Sequence, residues 1–561
     1  MLHWQCFLIQ AFATLSPPHK TPFMHASRIR SVLFSLIAIL ICLPIVALVS
    51  AWLEWNETSA QVLYELSQTV LTDYVAASLL LCVGVGLGVT LLGTGTAAAV
   101  TLFKFPGQEF FEWALLLPMA IPAYVVAYAY TDFLQFSGPL QTFLRNQTGL
   151  EGRVLPEIRS LGGAILVFSL SLYPYVYLLT RTALSERGAH LMEAARLLGA
   201  PMRRRILEVA VPLARPAVAA GVALALMETL ADFGVSSYFG IQSFTAGVYK
   251  SWLIMDNRIA AAQLATFLLA VVLLLLQIEK SAQARMRFSS SLTGIGSSTD
   301  AQPVKLMGIR GYAVSFACAV PLLFGFVAPV LLMLNPLLSS DVNIAWSRFL
   351  NWTLNSLQLG AITSVLAVGV ALLLTFNLRS HPNTLARWVT VLIGLGYAIP
   401  GAVVVVGLLL PVHWVQTKWP DTQLGFWLTA TGIGLIWAYL VRFCAVALQS
   451  IQSGYARIPK SLDESARILG ISGIQLLSQV HTPLLKRSIF AALLLVFVDV
   501  MKELPVTLVL RPLNSDTLAV MAYHLARDER LGEAALPSLA LVLAGLLPVM
   551  LLSRAMKSNT T

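Results

Sequence analysis

Four acidic residues lie within long apolar runs of the sequence, where ionisable side chains are rare. They form two pairs with the same separation of 271 residues, Glu228 with Asp499 and Asp232 with Glu503. Ionisable groups in such runs are costly and usually face a cavity or a partner, which indicates a substrate path. Hard carboxylate oxygens would suit a hard cation such as ferric iron.

The sequence leaves a second interpretation of these acids open, in which they are anchors near the outer interface or partners of Lys502 and Arg511. Other chemistry has little support. The sequence contains no G-x-x-x-x-G-K-[ST] phosphate loop and no H-E-x-x-H motif, and its eight histidines are scattered. We therefore expect no catalytic residues, no metal site and no cofactor bound by this chain, and a membrane enzyme is disfavoured.

The composition indicates a polytopic membrane protein. Of the 561 residues, 57% are hydrophobic and only 11% are charged, and mean hydropathy is +0.77, which is too little charge to cover a soluble surface of this size. The net charge of +10 does not indicate a nucleic-acid partner, because the basic residues cluster in short loops between apolar runs. The five cysteines are dispersed and offer neither a disulfide framework nor metal spacing.

Apolar runs of about 20 residues, the length that crosses a bilayer, recur along the chain. They predict an all-α fold with about twelve transmembrane helices, near residues 31–52, 76–101, 112–131, 162–182, 214–233, 259–278, 312–334, 355–377, 386–410, 424–446, 488–508 and 533–553. The predicted division is a cytoplasmic N-terminal segment 1–30, a first half 31–279, a flexible cytoplasmic linker 280–311 and a second half 312–561. Met24 is an alternative start of the chain.

Loop charge predicts the orientation. Basic residues fall on one side of the membrane if the helices alternate, whereas loop 53–73 is acidic and holds no Lys or Arg. The positive-inside rule makes the basic side cytoplasmic and places both chain termini there. Each half has an even number of predicted spans, so the two halves form a parallel repeat.

One polar loop occurs in both halves, at residues 185–213 and 455–484. Glu193-Ala194-Ala195 and Gly199 in the first copy match Glu464-Ser465-Ala466 and Gly470 in the second, and a proline follows each glycine thirteen residues later. We expect a short helix in each copy, capped in the second by a Ser461–Glu464 capping box and ended by Gly470. The small residues would form a face for a protein partner, and Leu197 and Leu198 would pack onto the membrane helices.

Both loops resemble the EAA loop of the membrane subunits of binding-protein-dependent ABC importers. In that family the loop carries a coupling helix that docks in a groove on a separate ATP-hydrolysing subunit. By this resemblance, the coupling residues are Glu193, Ala194, Ala195, Gly199, Glu464, Ser465, Ala466 and Gly470. Ser465, in place of Ala, is the one departure from the pattern.

The segments 228–234 and 501–512 resemble fused, two-half permeases of ferric iron importers, and this similarity extends from about residue 31 onward. The resemblance implies a type I importer permease in a bacterial inner membrane. Its implied partners are two copies of an ABC ATPase, which uses the ATP, and an extracytoplasmic substrate-binding protein. Thiamine, sulfate and polyamine permeases share the scaffold, and a secondary transporter with two parallel six-helix halves is the alternative from another class.

Overall fold

The computed structural model describes residues 23–53, 57–185, 194–291, 304–338, 345–380, 382 and 384–558, and over these ranges the chain is almost entirely helical. The first-half helices are α1 Phe23–Ser50, α2 Glu57–Thr69, α3 Leu71–Leu102, α4 Gln108–Ala114, α5 Ala123–Leu134, α6 Pro139–Thr148, α7 Leu161–Ala183, α8 Met202–Arg205, α9 Val211–Ala231, α10 Gly234–Tyr238, α11 Phe244–Leu253 and α12 Arg258–Ser291. Helices satisfy their own backbone hydrogen bonds, as a lipid environment requires. The predicted all-α class is confirmed.

The second half follows the same plan. Its helices are α13 Ile309–Leu322, α14 Ala328–Leu338, α15 Trp346–Ser380, α16 Thr384–Gly394, α17 Gly401–Lys418, α18 Leu424–Thr429, α19 Gly432–Tyr455, α20 Lys460–Ile468, α21 Thr482–Lys502, α22 Pro505–Leu510, α23 Leu518–Arg527 and α24 Leu531–Ser558. Short 3-10 turns at Leu117–Ala120 and Gly396–Ala398 complete the third span of each half.

The number of membrane-length helices is smaller than the predicted twelve. In the described ranges nine helices are long and apolar enough to cross a membrane, and a tenth span results if one bent pair is counted as one. Two predicted spans are missing from this count. The first is described as an apolar helix only over Leu36–Ser50, and the fifth span of the second half, α21, carries four charged residues at positions 486, 487, 499 and 502.

Prolines and glycines explain where the spans bend. The third span of the first half bends by 88° where Pro122 precedes α5, and Pro400 stands at the same place before α17. A π-helical turn precedes both α9 and α21, whose second residues are Pro212 and Pro483. A proline ring clashes with the carbonyl four residues earlier, and the wider π turn relieves that clash.

The two halves are interlocked. The third span of the second half, α17, packs along α1 of the first half, so closely that a side chain at Gly407 would overlap the Pro44 carbonyl. The Trp437 indole also donates to the Leu40 carbonyl at 2.7 Å. Such contacts make one helical body out of the two repeats.

Both described ends of the predicted linker 280–311 contain regular secondary structure. Helix α12 continues through Ser291, and Val304–Lys305 forms a short parallel strand pair with Phe103–Lys104 of the first half. Residues 292–303 lie outside the described ranges, as do residues 1–22 of the predicted N-terminal segment. The linker is therefore anchored to the loop that follows α3.

Candidate functional site

The repeated loop forms a short helix that ends in the same way in both copies. Gly470 and Gly199 have φ of +82° and +78°, in the left-handed region that favours glycine. The amide of the following residue reaches back to Ala466 at 2.9 Å in one copy and to Ala195 at 3.0 Å in the other. This Schellman geometry explains why the glycine recurs, and it confirms that Gly470 ends the helix.

The start of the helix differs from the prediction. Helix α20 begins at Lys460 after Pro459, and no side chain caps it. Ser461 therefore lies inside the first turn, where its carbonyl accepts a hydrogen bond from the Ser465 hydroxyl at 3.0 Å. The predicted Ser461–Glu464 capping box is wrong, because the helix starts before the residue that was expected to precede it.

The predicted coupling residues do not all face outward. Glu464, Ser465, Gly470, Ala194 and Gly199 are exposed, and Ala195 is half-buried. Ala466, however, is only 6% exposed and packs in a small apolar cluster with Phe376, Leu476 and Leu477. Its predicted place in a partner contact is corrected to an interior one, since a buried methyl group cannot touch a partner. Glu193 lies outside the described residues.

Two apolar pairs at matching positions of the two loops are strongly exposed. Leu197 and Leu198 are 82% and 88% exposed, and Ile468 and Leu469 are 86% and 78% exposed. The expectation that Leu197 and Leu198 pack on the membrane helices is wrong. We call these four residues the docking pairs. The sequence feature that could have identified them is their repeated position, since each pair directly precedes the glycine of its loop.

A buried polar network holds the second loop in place. Arg379, at the end of α15, donates to both carboxylate oxygens of Asp463 at 2.7 and 3.0 Å. Its remaining donors reach the carbonyls of Ile458 and Pro459, each at 3.0 Å. The bidentate geometry is the strong form of an Arg–carboxylate pair, and it fixes α20 to the end of a membrane helix.

His481 completes this network on the opposite side of Asp463. The fully buried imidazole lies 3.0 Å from the Asp463 carboxylate through Nε2 and 3.1 Å from the Tyr455 hydroxyl through Nδ1. A neutral ring protonated at Nε2 would donate to the carboxylate and accept from the tyrosine. We call Arg379, Tyr455, Asp463 and His481 the loop clamp.

The loop clamp sets the ionisation of Asp463. Burial alone would raise the pKa of this carboxyl group, but the hydrogen bonds from Arg379 and His481 outweigh it and hold the pKa below its ordinary value. At the offset of 271 residues, the first loop has Met192 and Ala210 in place of Asp463 and His481. The clamp is therefore a feature of the second half alone.

The four acids predicted for a path lie close to one another near the ends of α9 and α21. Glu228 is exposed to the space between the helices, and Asp499 and Asp232 are half-buried. Glu228 interacts electrostatically with Arg442, Lys502 and Glu503, and Asp499 with Lys502 and Glu228. The structure brings the acids of both halves together with two cations.

The second pair of acids, Asp232 and Glu503, also has a structural role. Asp232 accepts a hydrogen bond from the Val235 amide at 2.7 Å, at the start of α10. Glu503 is 5% exposed, accepts from the amides of Val506 and Thr507 at 3.1 Å, and pairs with Arg442 at 2.6 Å. Both carboxylates thus cap the short helix that follows a break in the fifth span.

The cations suggested by the sequence take other partners. The Lys502 ammonium donates to the Met119 carbonyl at 3.1 Å, which joins the break in α21 to the bend in the third span of the first half. Arg511 pairs with Asp516 at 2.9 Å. Sequence reasoning missed Arg442, which is 61 residues away from its partner Glu503. Across the described residues, no group of three or more His, Cys, Asp or Glu could hold a metal ion.

Comparison with known proteins gives matches over most of the chain. Residues 90–287 and 366–558 each match the family described as binding-protein-dependent transport system inner membrane component. The Fe(3+)-transport system permease protein FbpB 2 of Haemophilus influenzae is 24% identical over 96% of this chain and 99% of its own length. The ferric transport system permease protein FbpB of Actinobacillus pleuropneumoniae is 23% identical over 92% of this chain and 76% of its own. A Salmonella typhimurium protein named for 2-aminoethylphosphonate transport, PhnU, is 26% identical over 35% of this chain and 70% of its own.

Proposed function

Because the chain belongs to the family of binding-protein-dependent transport system inner membrane components, we propose that it imports ferric iron at the expense of ATP hydrolysed by a separate subunit. The chain is an ABC importer permease of the fused two-half type and a multi-pass inner membrane protein. This membership overrules the alternative of a secondary transporter. The observation that supports a separate ATPase partner is the matched exposure of the docking pairs.

The docking pairs suit insertion into a partner's groove. Each loop offers two large apolar side chains that are about four-fifths exposed, beside the polar Glu464 and Ser465 in the second copy. Burying each of these side chains at an interface is worth about 1.5–3 kcal/mol, which is enough to drive docking. We infer one ATPase subunit for each loop, with ATP bound there and not by this chain, and with both loops and both chain termini in the cytoplasm.

The proposed cargo rests on the names of the relatives and on charge. Four acids and two cations meet in the cluster around Glu228 and Asp499, which leaves an excess of two negative charges if all are ionised. Such an excess in a low-dielectric interior favours a cation as the passing species. We infer that an extracytoplasmic binding protein delivers the iron. Thiamine, sulfate and polyamine, together with 2-aminoethylphosphonate, are the competing cargoes.

We expect the substitutions Leu198→Asp and Leu469→Asp, made together, to abolish co-purification of the ATPase. A charge placed at the centre of an apolar contact loses the burial energy and leaves an unpaired carboxylate, which should weaken binding by about 30-fold or more. The measurement is the amount of ATPase that co-purifies with the tagged permease from its own membranes, identified by mass spectrometry. Uptake of labelled iron should fall in parallel.

The matched control is Met307→Asp, because Met307 is 86% exposed and apolar but lies in the linker. This variant should retain the ATPase. Reversal of charge in Glu193→Lys with Glu464→Lys tests the polar side of the same contact and should also reduce co-purification. Undiminished ATPase in both loop variants would reject the docking surface, whereas a bound ATPase without iron uptake would reject only the cargo.

A further inference from the structure

An apolar groove lies between three membrane helices of the first half. Helices α3, α9 and α12 enclose a cavity of about 460 Å³ whose walls include Val218, Val222 and Leu275. Val211 and Ile278, which also line it, are 39% and 45% exposed to the surroundings of the helices. The groove is therefore within reach of the surrounding bilayer.

The two repeats differ in the side chains at the positions that line this groove. Larger residues replace several groove-lining residues of α9 at the offset of 271 residues. Three such pairs are Ala214 and Leu485, Ala219 and Phe490, and Leu226 and Phe497. In the second half the Phe497 ring packs on Gly360 of α15, where an added Cβ atom would lie 2.9 Å from it. The two repeats therefore differ in side-chain size at these positions.

One cation stands at the wall of this groove. Arg215 lines it and is exposed, and no hydrogen bond or ion pair joins its guanidinium to another residue of the described part of the chain. The hydroxyl of Thr94, on the facing helix α3, is likewise buried with no partner among the described residues. An exposed, unpaired guanidinium beside an apolar groove matches the charge pattern of an anionic lipid.

We propose that this groove binds one acyl chain of an anionic phospholipid whose phosphate group pairs with Arg215. The lining of the groove is almost wholly apolar, as contact with an acyl chain requires. Bulk lipid also surrounds its chains with apolar groups, so the groove by itself confers little selectivity. Selectivity for an anionic headgroup comes from Arg215, and it should amount to about fivefold per basic residue.

The test uses the full permease with its ATPase in nanodiscs of phosphatidylglycerol and phosphatidylethanolamine in equal amounts. Native mass spectrometry counts the lipids that remain bound after the discs are removed. We expect one retained lipid, in which phosphatidylglycerol outnumbers phosphatidylethanolamine by about five to one. Loss of this preference in Arg215→Gln, with the lipid count unchanged, would support the headgroup contact.

Filling the groove tests the chain contact. Ala219→Phe introduces the residue that the second half already has, and it should remove the retained lipid. Ala214→Leu is a milder second variant if the first does not fold. The matched control is Lys486→Gln, which removes the basic residue that corresponds to Arg215 in the second half. It should change neither lipid count nor preference.

Two results would overturn the proposal. One is an Arg215→Gln protein that keeps the wild-type preference for phosphatidylglycerol, and the other is a folded Ala219→Phe protein that keeps the same lipid. Retention of detergent or of a polypeptide in the groove, with no lipid, would also reject it. None of these results depends on the identity of the transported substrate.

Discussion

Replacing Arg379 by methionine should destabilise the attachment of the second repeated loop to the end of α15 by about 3 kcal/mol. We expect this change to impair the coupling of ATP hydrolysis to transport. The change leaves the Asp463 carboxylate, whose side chain is 11% exposed, without its bidentate partner. The carbonyls of Ile458 and Pro459 lose donors at the same time. A buried carboxylate without its partner must move toward water, and α20 must move with it.

Hydrogen exchange of the backbone amides of α20 measures this displacement, and uptake per ATP hydrolysed measures its effect. The double substitution Arg379→Met with Asp463→Leu removes both charges and should recover much of the lost protection, because no unpaired charge remains. Met192→Ala in the first loop, which has no such clamp, is the matched control and should have little effect. If hydrogen exchange of the α20 amides is unchanged in Arg379→Met, the loop clamp does not hold α20 in place.

The clamp also predicts an acid limit. The folded-state pKa of Asp463 lies below its unfolded value, so the clamp contributes stability that is fully present above the unfolded pKa of about 4. That contribution is lost as pH falls through the folded-state pKa, when the carboxyl group takes up a proton. Protection of α20 in wild type should therefore decline below about pH 4, and the decline should be absent in the Arg379→Met, Asp463→Leu variant.

Neutralising Glu228 and Asp499 together, as Gln and Asn, should reduce iron uptake by about tenfold or more while assembly with the ATPase survives. Two unit charges about 4–8 Å apart interact by roughly 2–4 kcal/mol at an effective dielectric of about 20, and a trivalent cation would lose more. The change removes the excess of two negative charges and leaves Lys502 and Arg442 in place. Uptake of radiolabelled iron with the matching binding protein is the measurement.

Two further variants sharpen this result. Asp232→Asn with Glu503→Gln should lower uptake and also loosen the starts of α10 and α22, because these carboxylates cap them. Glu279→Gln neutralises a buried acid of α12 outside the cluster and should leave uptake near wild type. Full uptake in the Glu228, Asp499 variant would exclude these acids from the path and leave ferric iron dependent on similarity alone.

Local features of the site were predictable where the backbone dictates a residue type. Gly199 and Gly470 recur because the chain turns left-handed there, and the acids recur because both repeats break the fifth span at one place. The orientation of side chains was not predictable. Sequence analysis assigns an apolar residue at a helix end, such as Leu198, to a packed position, yet Leu198 is 88% exposed. Only the packing of α20 against Phe376 decides that Ala466 turns inward.

Ion-pair partners that are distant in the sequence were not predictable either. Asp463 and Arg379 are 84 residues apart, and the chain has 37 basic residues from which to choose. The choice of Arg442 over Arg511 for Glu503 follows from the packing of α19 on α21, which no spacing within the sequence encodes. The capping box failed for a smaller reason, since a helix start two residues earlier than predicted removes its geometry.

The pairing of Val304–Lys305 with Phe103–Lys104 has an evolutionary consequence. A permease built from two copies of one separate chain must accept every mutation in both loops at once. Here the joined halves are inherited as one gene product and held in one arrangement, so selection acts on each loop separately. The second loop has Asp463 and His481 where the first loop has Met192 and Ala210. A single fused chain thus allows its two loops to differ in this way.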